Sequence, residues 1–197
     1  AALGYYNLLD PGVMAGQVEL ARLYGVEGFC FYTYWFTGHR LLEQPVDNYL
    51  ADASLDLPFC LCWANENWTR RWDGLEHDIL MGQEYSADDD LNFIAHVSRY
   101  LRDPRYIRID GRPLLLVYRP KLFPDMRETA ERWRWWCREH GVGEIYLAYP
   151  QSFETVDPAD YGFDAAVEFP PNNSSPPNIT GQIKPLVPDF QGKVYDW

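Results

Sequence analysis

Five short apolar runs punctuate the chain, and each is nearly continuous rather than alternating. They are GFCFYTYW (Gly28 to Trp35), PFCLCWA (Pro58 to Ala64), PLLLVY (Pro113 to Tyr118), EIYLAY (Glu144 to Tyr149) and the weaker DAAVEF (Asp164 to Phe169). A strand wetted on one face alternates apolar and polar side chains, whereas a strand covered on both faces does not. The runs therefore predict buried strands of a parallel sheet.

Helix signals lie between most of them. Asp10-Pro11 offers an N-cap and a proline at the first helical position. Val13, Val18, Leu20, Ala21 and Leu23 then form an apolar stripe that stops at Gly25. Leu41 to Ala53 predicts a second, poorer helix. Ser86, with Asp89 three residues on, resembles a capping box. It opens a third helix carrying Leu91, Ile94, Ala95, Val97, Tyr100 and Leu101. The fourth helix runs from Pro124 or Asp125 to His140 and stops at Gly141. Its Trp133, Trp135 and Trp136 read as packing against the sheet. Within DPRYIRIDGRP the Asp-Gly pair reads as a hairpin turn before a strand.

Helix alternating with strand predicts an α/β fold with right-handed crossovers. From about Phe169 the rhythm fails. PPNNSSPPNITGQIKPLVPD predicts a long loop, and long loops are often functional. Neither an internal repeat nor a linker is visible, so residues 1–197 read as one domain.

Two architectures compete, an open doubly wound sheet and a (β/α)8 TIM barrel. No Gly-rich phosphate turn follows any strand, which disfavours a dinucleotide-binding sheet. Polar and aromatic residues gather instead where strands end: Tyr34, Trp35 and His39; Asn65 to Trp68; Tyr118 and Arg119; Tyr149 and Gln151; Glu168. A barrel builds its active site from those ends.

Charge narrows the choice of partner. A net charge of −12 argues against nucleic acid and against anionic membrane. No run approaches the roughly 18 apolar residues of a membrane helix. The opening AALGYYNLLDPGV has no basic n-region or apolar h-region, so it does not read as a signal peptide. Cys30, Cys60 and Cys62 sit in apolar runs, and no matching Cys/His cluster accompanies them or Cys137. They read as buried reduced thiols in a reducing compartment. Neither HExxH nor GxSxG occurs, so zinc hydrolysis and a serine triad have no support. No metal or cofactor is expected. Asn-x-Ser/Thr sequons begin at Asn67, Asn172, Asn173 and Asn178 and carry no meaning in a cytosolic chain.

The densest chemistry is CLCWANENWTRRWDG, from Cys60 to Gly74. Here a carboxylate, Glu66, stands between two amides where an apolar strand stops. A carboxylate in that place accepts hydrogen bonds from sugar hydroxyls, or works as an acid or base. Asn amides read hydroxyls as donors and as acceptors, and indole or phenol rings offer flat faces to a pyranose. The alternative is that Glu66 pairs with Arg70 or Arg71 and orders the loop. Trp63 reads as core, and Trp68 and Trp72 as stacking platforms. Glu168 is a second carboxylate facing the same side, and paired carboxylates are what glycoside chemistry uses. His39 reads as a loop histidine, and His77, His96 and His140 as helix or surface positions.

Three segments together, ELARLYGVEGFCFYTYWFTG, CLCWANENWTRRWDG and DPRYIRIDGRPLLLVYRP, resemble the WbsX-like glycosyltransferase domain. That family is related to glycoside hydrolase family 99, the endo-α-mannosidase-type barrels. The resemblance implies a (β/α)8 barrel acting on polysaccharide, often in bacterial surface-polysaccharide loci such as those for lipopolysaccharide. It implies that the chain holds about strands two to six, an incomplete barrel. Glu66 matches a substrate-contacting glutamate, Tyr34-Trp35 a sugar-contacting tryptophan, and Tyr118 a tyrosine ending the fourth strand. The family's late Asn-Glu-Trp-x-Glu-Gly segment does not occur here. The catalytic candidates are therefore Glu66 and Glu168, with the catalytic pair expected outside this chain. Candidates for substrate contact are Tyr34, Trp35, His39, Asn65 and Glu66. Asn67, Trp68, Tyr118 and Tyr149 complete them. Two functions are compatible: cleavage or transfer of glycosyl units, or a non-catalytic glycan-binding barrel. A bacterial cytoplasmic location is expected.

Overall fold

The computed structural model describes residues 4–70, 75–170, 176–184 and 194–196; the side chains of residues 70 and 75–77 lie outside the description. Trp72, Asn172 and Asn173, part of the predicted 170–190 loop, and the side chains of Arg70, Arg71 and His77 thus fall outside it.

The helices are α1 (Pro11–Leu23), α2 (Gln44–Ala51), α3 (Ala87–Leu101) and α4 (Met126–Glu139). Three of them open on the side chains the sequence singles out. Asp10 accepts a hydrogen bond from the Gly12 N–H at 2.9 Å, Ser86 from Asp89 N–H at 3.1 Å, and Asp125 from Glu128 N–H at 3.0 Å. Each such cap satisfies an otherwise orphaned donor and contributes about 1 kcal/mol.

In chain order the strands are β1 (Phe29–Phe36), β2 (His39–Leu41), β3 (Phe59–Trp63), β4 (Trp68–Arg70), β5 (Leu75–Met81), β6 (Arg108–Ile109), β7 (Arg112–Val117), β8 (Tyr146–Pro150) and β9 (Ala165–Val167). The five predicted strands correspond to β1, β3, β7, β8 and β9. They lie side by side in that order, all parallel. Strand order that follows chain order has no switch point. Right-handed crossovers then place every helix on one face, as in a barrel and unlike a doubly wound sheet.

The register shows which side chains share a face. Phe31, Leu61, Leu115 and Leu147 are successive partners across β1, β3, β7 and β8, and all point to the helices. Phe31 and Phe59 meet Tyr49 of α2 with ring centroids 5.2 and 5.3 Å apart. Trp63 stacks on Phe93 of α3 at 4.0 Å and reaches Trp133 of α4 at 6.1 Å. Trp63 and Trp133 are therefore core, as the sequence predicts. The opposite, inner face carries Tyr32, Cys62, Leu116, Ala148 and Ala165 as successive partners.

Two tight hairpins join this sheet. Thr37 and Gly38 link β1 to β2, and Asp110 and Gly111 link β6 to β7, with positive φ at all four residues. That is the geometry of a type I′ turn, and it confirms the Asp-Gly turn. At Gly28 a Cβ would meet the Pro58 carbonyl oxygen at 2.9 Å, so the approach of β1 to β3 requires glycine.

Some expectations need correction. The second helix starts at Gln44, not Leu41, because Leu41 pairs with Tyr34 and Leu42 has φ of 55°, which no α-helix accommodates. The antiparallel pair β4–β5 interrupts a stretch with no strand-like pattern. Cys30 is exposed rather than buried, because no described element covers the inner face there. Trp135 is exposed, whereas Trp136 is partly buried against the core and also stacks on His140 at 4.0 Å. Arg105 has a structural role the pattern does not announce. Its guanidinium donates to the carbonyls of Tyr49, Leu50, Asp52 and Leu55, which satisfies the C-terminal end of α2.

Candidate functional site

The C-terminal ends of β3 and β7 are joined through one buried amide. Asn65, with no exposed surface, follows β3. Its Nδ2 donates to the Arg119 carbonyl at 2.8 Å, and its Oδ1 accepts from the Arg119 N–H at 2.8 Å. Nδ2 also donates to the Tyr85 hydroxyl at 3.1 Å, and that hydroxyl donates to the Asn65 carbonyl at 2.7 Å. Asn65 thus satisfies the backbone where two strands end and cannot itself meet a ligand. Burial, with the Asn65 hydrogen bond opposing it, pushes the Tyr85 phenol up to about 12.

This bracket presents the next residues outward. Arg119 donates to the Glu66 carboxylate at 2.6 Å, with both side chains partly exposed. The described partner of Glu66 is therefore Arg119, which follows the neighbouring strand β7; the Arg70 and Arg71 side chains lie outside the described residues. The same guanidinium lies over the Phe153 ring, 4.0 Å from its centroid. Phe153 is itself 51% exposed. Tyr118 packs edge-on against Phe153 at 5.8 Å, Phe169 at 6.0 Å and Tyr32 at 5.8 Å. Beside β1, Tyr34 packs against Trp68 at 5.2 Å. Asn67 is exposed, and its Oδ1 accepts from the Gln83 N–H at 2.6 Å. Burial, helped by the nearby Cys62 thiol, pushes the phenols of Tyr32 and Tyr34 up. Both stay neutral near pH 7, with a ring face for apolar contact and a hydroxyl for hydrogen bonding.

Two expected contacts lie on the wrong side of the sheet. Trp35 is buried on the helix face, where its Nε1–H donates to Asp89 at 2.9 Å and its ring stacks on His96 at 5.3 Å. His96 is half-buried, and burial, with Arg40 and Arg99 nearby, pushes it down to about 4. Tyr149 is fully buried, and its hydroxyl donates to the Val156 carbonyl. The cause is parity. Trp35 shares a face with Thr33, the partner of Trp63, and Tyr149 shares one with Leu147. His39 sits exposed in β2, on the short hairpin. Glu168 is exposed one residue beyond β9, and it is Phe169 that reaches Tyr118.

The sequence marks one of these site residues only as a strand-end residue, and another not at all. Arg119 is visible as a charge ending an apolar run, but its partner is 53 residues away. Phe153 sits in the loop QSFET, which has no periodicity to mark it.

Sequential parallel strands with helices on one face define a chain of the (β/α) barrel class. Solved structures agree on the fold. A glycoside hydrolase-like protein superposes with a TM-score of 0.58 at 17% identity, over 84% of this chain and 52% of that one. The GH99 endo-alpha-mannosidase from Bacteroides thetaiotaomicron gives a TM-score of 0.54 at 16% identity, over 83% and 45%. The chain is therefore part of a barrel of this type. The family model described as Glycosyltransferase WbsX matches residues 1–192, and the chain belongs to that family. Proteins named WxcX from two strains of Xanthomonas campestris pv. campestris, B100 and ATCC 33913, are 60% identical across all 197 residues. The chain spans 28% of the length of these relatives. Family and fold are those of glycosyltransferase- and glycosidase-like proteins.

Proposed function

We propose that this chain forms the glycan-holding part of an enzyme that cleaves or transfers glycosyl units of a bacterial surface polysaccharide in the cytoplasm. The observation that carries the reading is the Glu66–Arg119 pair, flanked by Tyr34 and Trp68 on one side and Tyr118, Phe153 and Phe169 on the other. A carboxylate accepts from sugar hydroxyls, a guanidinium donates to sugar oxygens, and the rings cover the C–H face of a pyranose. Glu66 orients the substrate, and the catalytic pair comes from the rest of the parent protein. The Arg119 guanidinium donates to the Glu66 carboxylate, which suits orienting a substrate hydroxyl better than delivering a proton.

The test uses the intact parent protein, with and without Glu66→Gln, against bacterial polysaccharide fragments. Turnover that falls with the substitution, while thermal stability holds, supports the reading. Binding without turnover in the unaltered parent would identify a non-catalytic glycan-binding barrel instead. Unchanged binding in the variant would remove Glu66 from the site.

A further inference from the structure

Three of the four cysteines share one face of adjacent strands, with Cys30 and Cys60 at the end of the sheet opposite Glu66. Cys30 in β1 and Cys60 in β3 are direct partners in the parallel register, and Cys62 is the partner of Tyr32. All three lie on the inner face. Neighbouring strands run about 4.8 Å apart, which places Cys30 and Cys60 inside the Cα range a disulfide spans, roughly 4.4–6.8 Å. Cys62 is two residues further along. Its diagonal distance from Cys30 is roughly 8 Å, beyond that range.

Access separates the same thiols. Cys30 is exposed, whereas Cys60 and Cys62 are 4% and 3% exposed. Cys30 and Cys60 both line a cavity of about 440 Å³ at the N-terminal edge of β1 and β3, with Gly28, Pro58 and Ile107 among its other walls. Hydrogen bonds from Cys60 and Cys62 lower the Cys30 thiol, while sharing that proton and burial push the other two up. Exposure makes Cys30 the reachable sulfur, and its register partner Cys60 is placed to resolve it.

We propose that Cys30 and Cys60 are an oxidant-responsive thiol pair, a modification site independent of the glycan-binding reading. The oxidant is a hydroperoxide. The Cys30 thiolate attacks the terminal peroxide oxygen; the O–O bond breaks, and with one proton an alcohol or water leaves, giving the Cys30 sulfenic acid. The Cys60 thiol then attacks that sulfur, an S–S bond forms, and water leaves with the Cys60 proton. Two thiols lose two electrons in all, and the peroxide gains them. Direct partners on parallel strands hold their Cβ atoms somewhat farther apart than an ideal disulfide. The bond is therefore strained and readily reversed by small thiols. Its formation staples β1 to β3 on the inner face of the sheet.

The experiment exposes the full chain to hydrogen peroxide, alkylates the remaining thiols, and maps linkages by fragmentation mass spectrometry. The expected product is a Cys30–Cys60 cross-link, with Cys62 and Cys137 alkylated, lost on treatment with dithiothreitol. In Cys60→Ser, Cys30 should be trapped by dimedone as the sulfenic acid. Cys62→Ser retains the pair and should still cross-link, which keeps the test decisive where Cys60→Ser fails to fold. Cys30 still fully alkylated after peroxide, a bridge to Cys62, or a Cys60→Ser protein that is folded yet gives no adduct would each overturn the proposal.

Discussion

The Glu66 carboxylate and the Arg119 guanidinium meet at 2.6 Å, which ties the segment after β3 to the segment after β7. Their side chains are 30% and 26% exposed, so water screens the pair. Pairs of this kind contribute at most about 1 kcal/mol to stability. Stability is thus a weak reason for the contact, and fixing the carboxylate in one orientation is a better one. The partners follow neighbouring strands, and the Asn65 bonds to the Arg119 backbone fix one segment against the other.

Glu66→Gln should therefore leave the melting temperature almost unchanged. In the intact parent it should weaken glycan binding by about 1.5–3 kcal/mol, the range for a hydrogen bond to a charged group. Arg119→Lys keeps the charge but loses the planar fork, and should produce a smaller loss in the same direction. Isothermal titration calorimetry beside a thermal melt separates the effects. A variant that loses several degrees of stability at unchanged affinity would make the pair a structural clasp.

Asn65 should behave in the opposite way. Replacing it with Ala leaves the Arg119 N–H and carbonyl without their buried partners, and Tyr85 without its donor. Orphaned buried groups cost about 1–3 kcal/mol each, with partial relief from water, so a total near 3 kcal/mol is expected. Urea unfolding is the measurement. A loss under about 0.5 kcal/mol would mean that the bracket does not hold the strand ends together.

How much of this was legible beforehand depends on the range of the signal. The caps at Asp10, Ser86 and Asp125 act on N–H groups two or three residues away, so local sequence identified them. The parallel strands were visible because burial on both faces leaves unbroken apolar runs. Faces within those strands were not visible, since an unbroken run carries no alternation to show which residues point inward. That is why Trp35 and Tyr149 looked equivalent to Tyr34 and Tyr118. The contact of Glu66 with Arg119 spans 53 residues and needs the strand order, which no local pattern encodes.

The buried pair at the start of α3 makes stability depend on pH. Burial pushes the Asp89 carboxyl above its usual range, opposed by the Trp35 indole hydrogen bond and reinforced by the Asp90 charge. Asp90 is likewise raised by burial, against hydrogen bonds from Thr129 and Arg132. A raised carboxyl binds its proton more tightly in the folded state. Its contribution is then full below the unfolded value of about 3.9 and is lost as pH rises through the folded value. Asp89→Asn removes that titration and keeps an oxygen to accept from Trp35. The stability of the variant relative to the parent sequence should accordingly improve as pH rises from about 3.5 to 7. Denaturant unfolding at stepped pH is the check, and a difference that worsens with pH would show that the Asp89 charge is favoured in the fold.

The two faces of the sheet give the sharpest separation of site from core. Tyr34 and Tyr118 lie on the inner face, with aromatic neighbours at the strand ends. Trp35 and Tyr149 lie on the helix face with their polar atoms engaged internally. In each tyrosine the change to Phe removes one hydroxyl and keeps the ring. Tyr149→Phe leaves the partly buried Val156 carbonyl without its donor and should cost about 1 kcal/mol of folding stability, with glycan affinity intact. Tyr34→Phe and Tyr118→Phe should change stability by less than about 0.5 kcal/mol, as surface changes usually do. If their hydroxyls meet the sugar, each should weaken binding in the intact parent by about 0.5–1.5 kcal/mol. Trp35→Phe belongs with Tyr149, since it strips the buried Asp89 of its indole donor. Unfolding and binding measured on the same four variants should thus sort them by strand parity. Affinity losses at Trp35 or Tyr149 without loss of stability, or at neither inner tyrosine, would place the glycan somewhere other than the inner face.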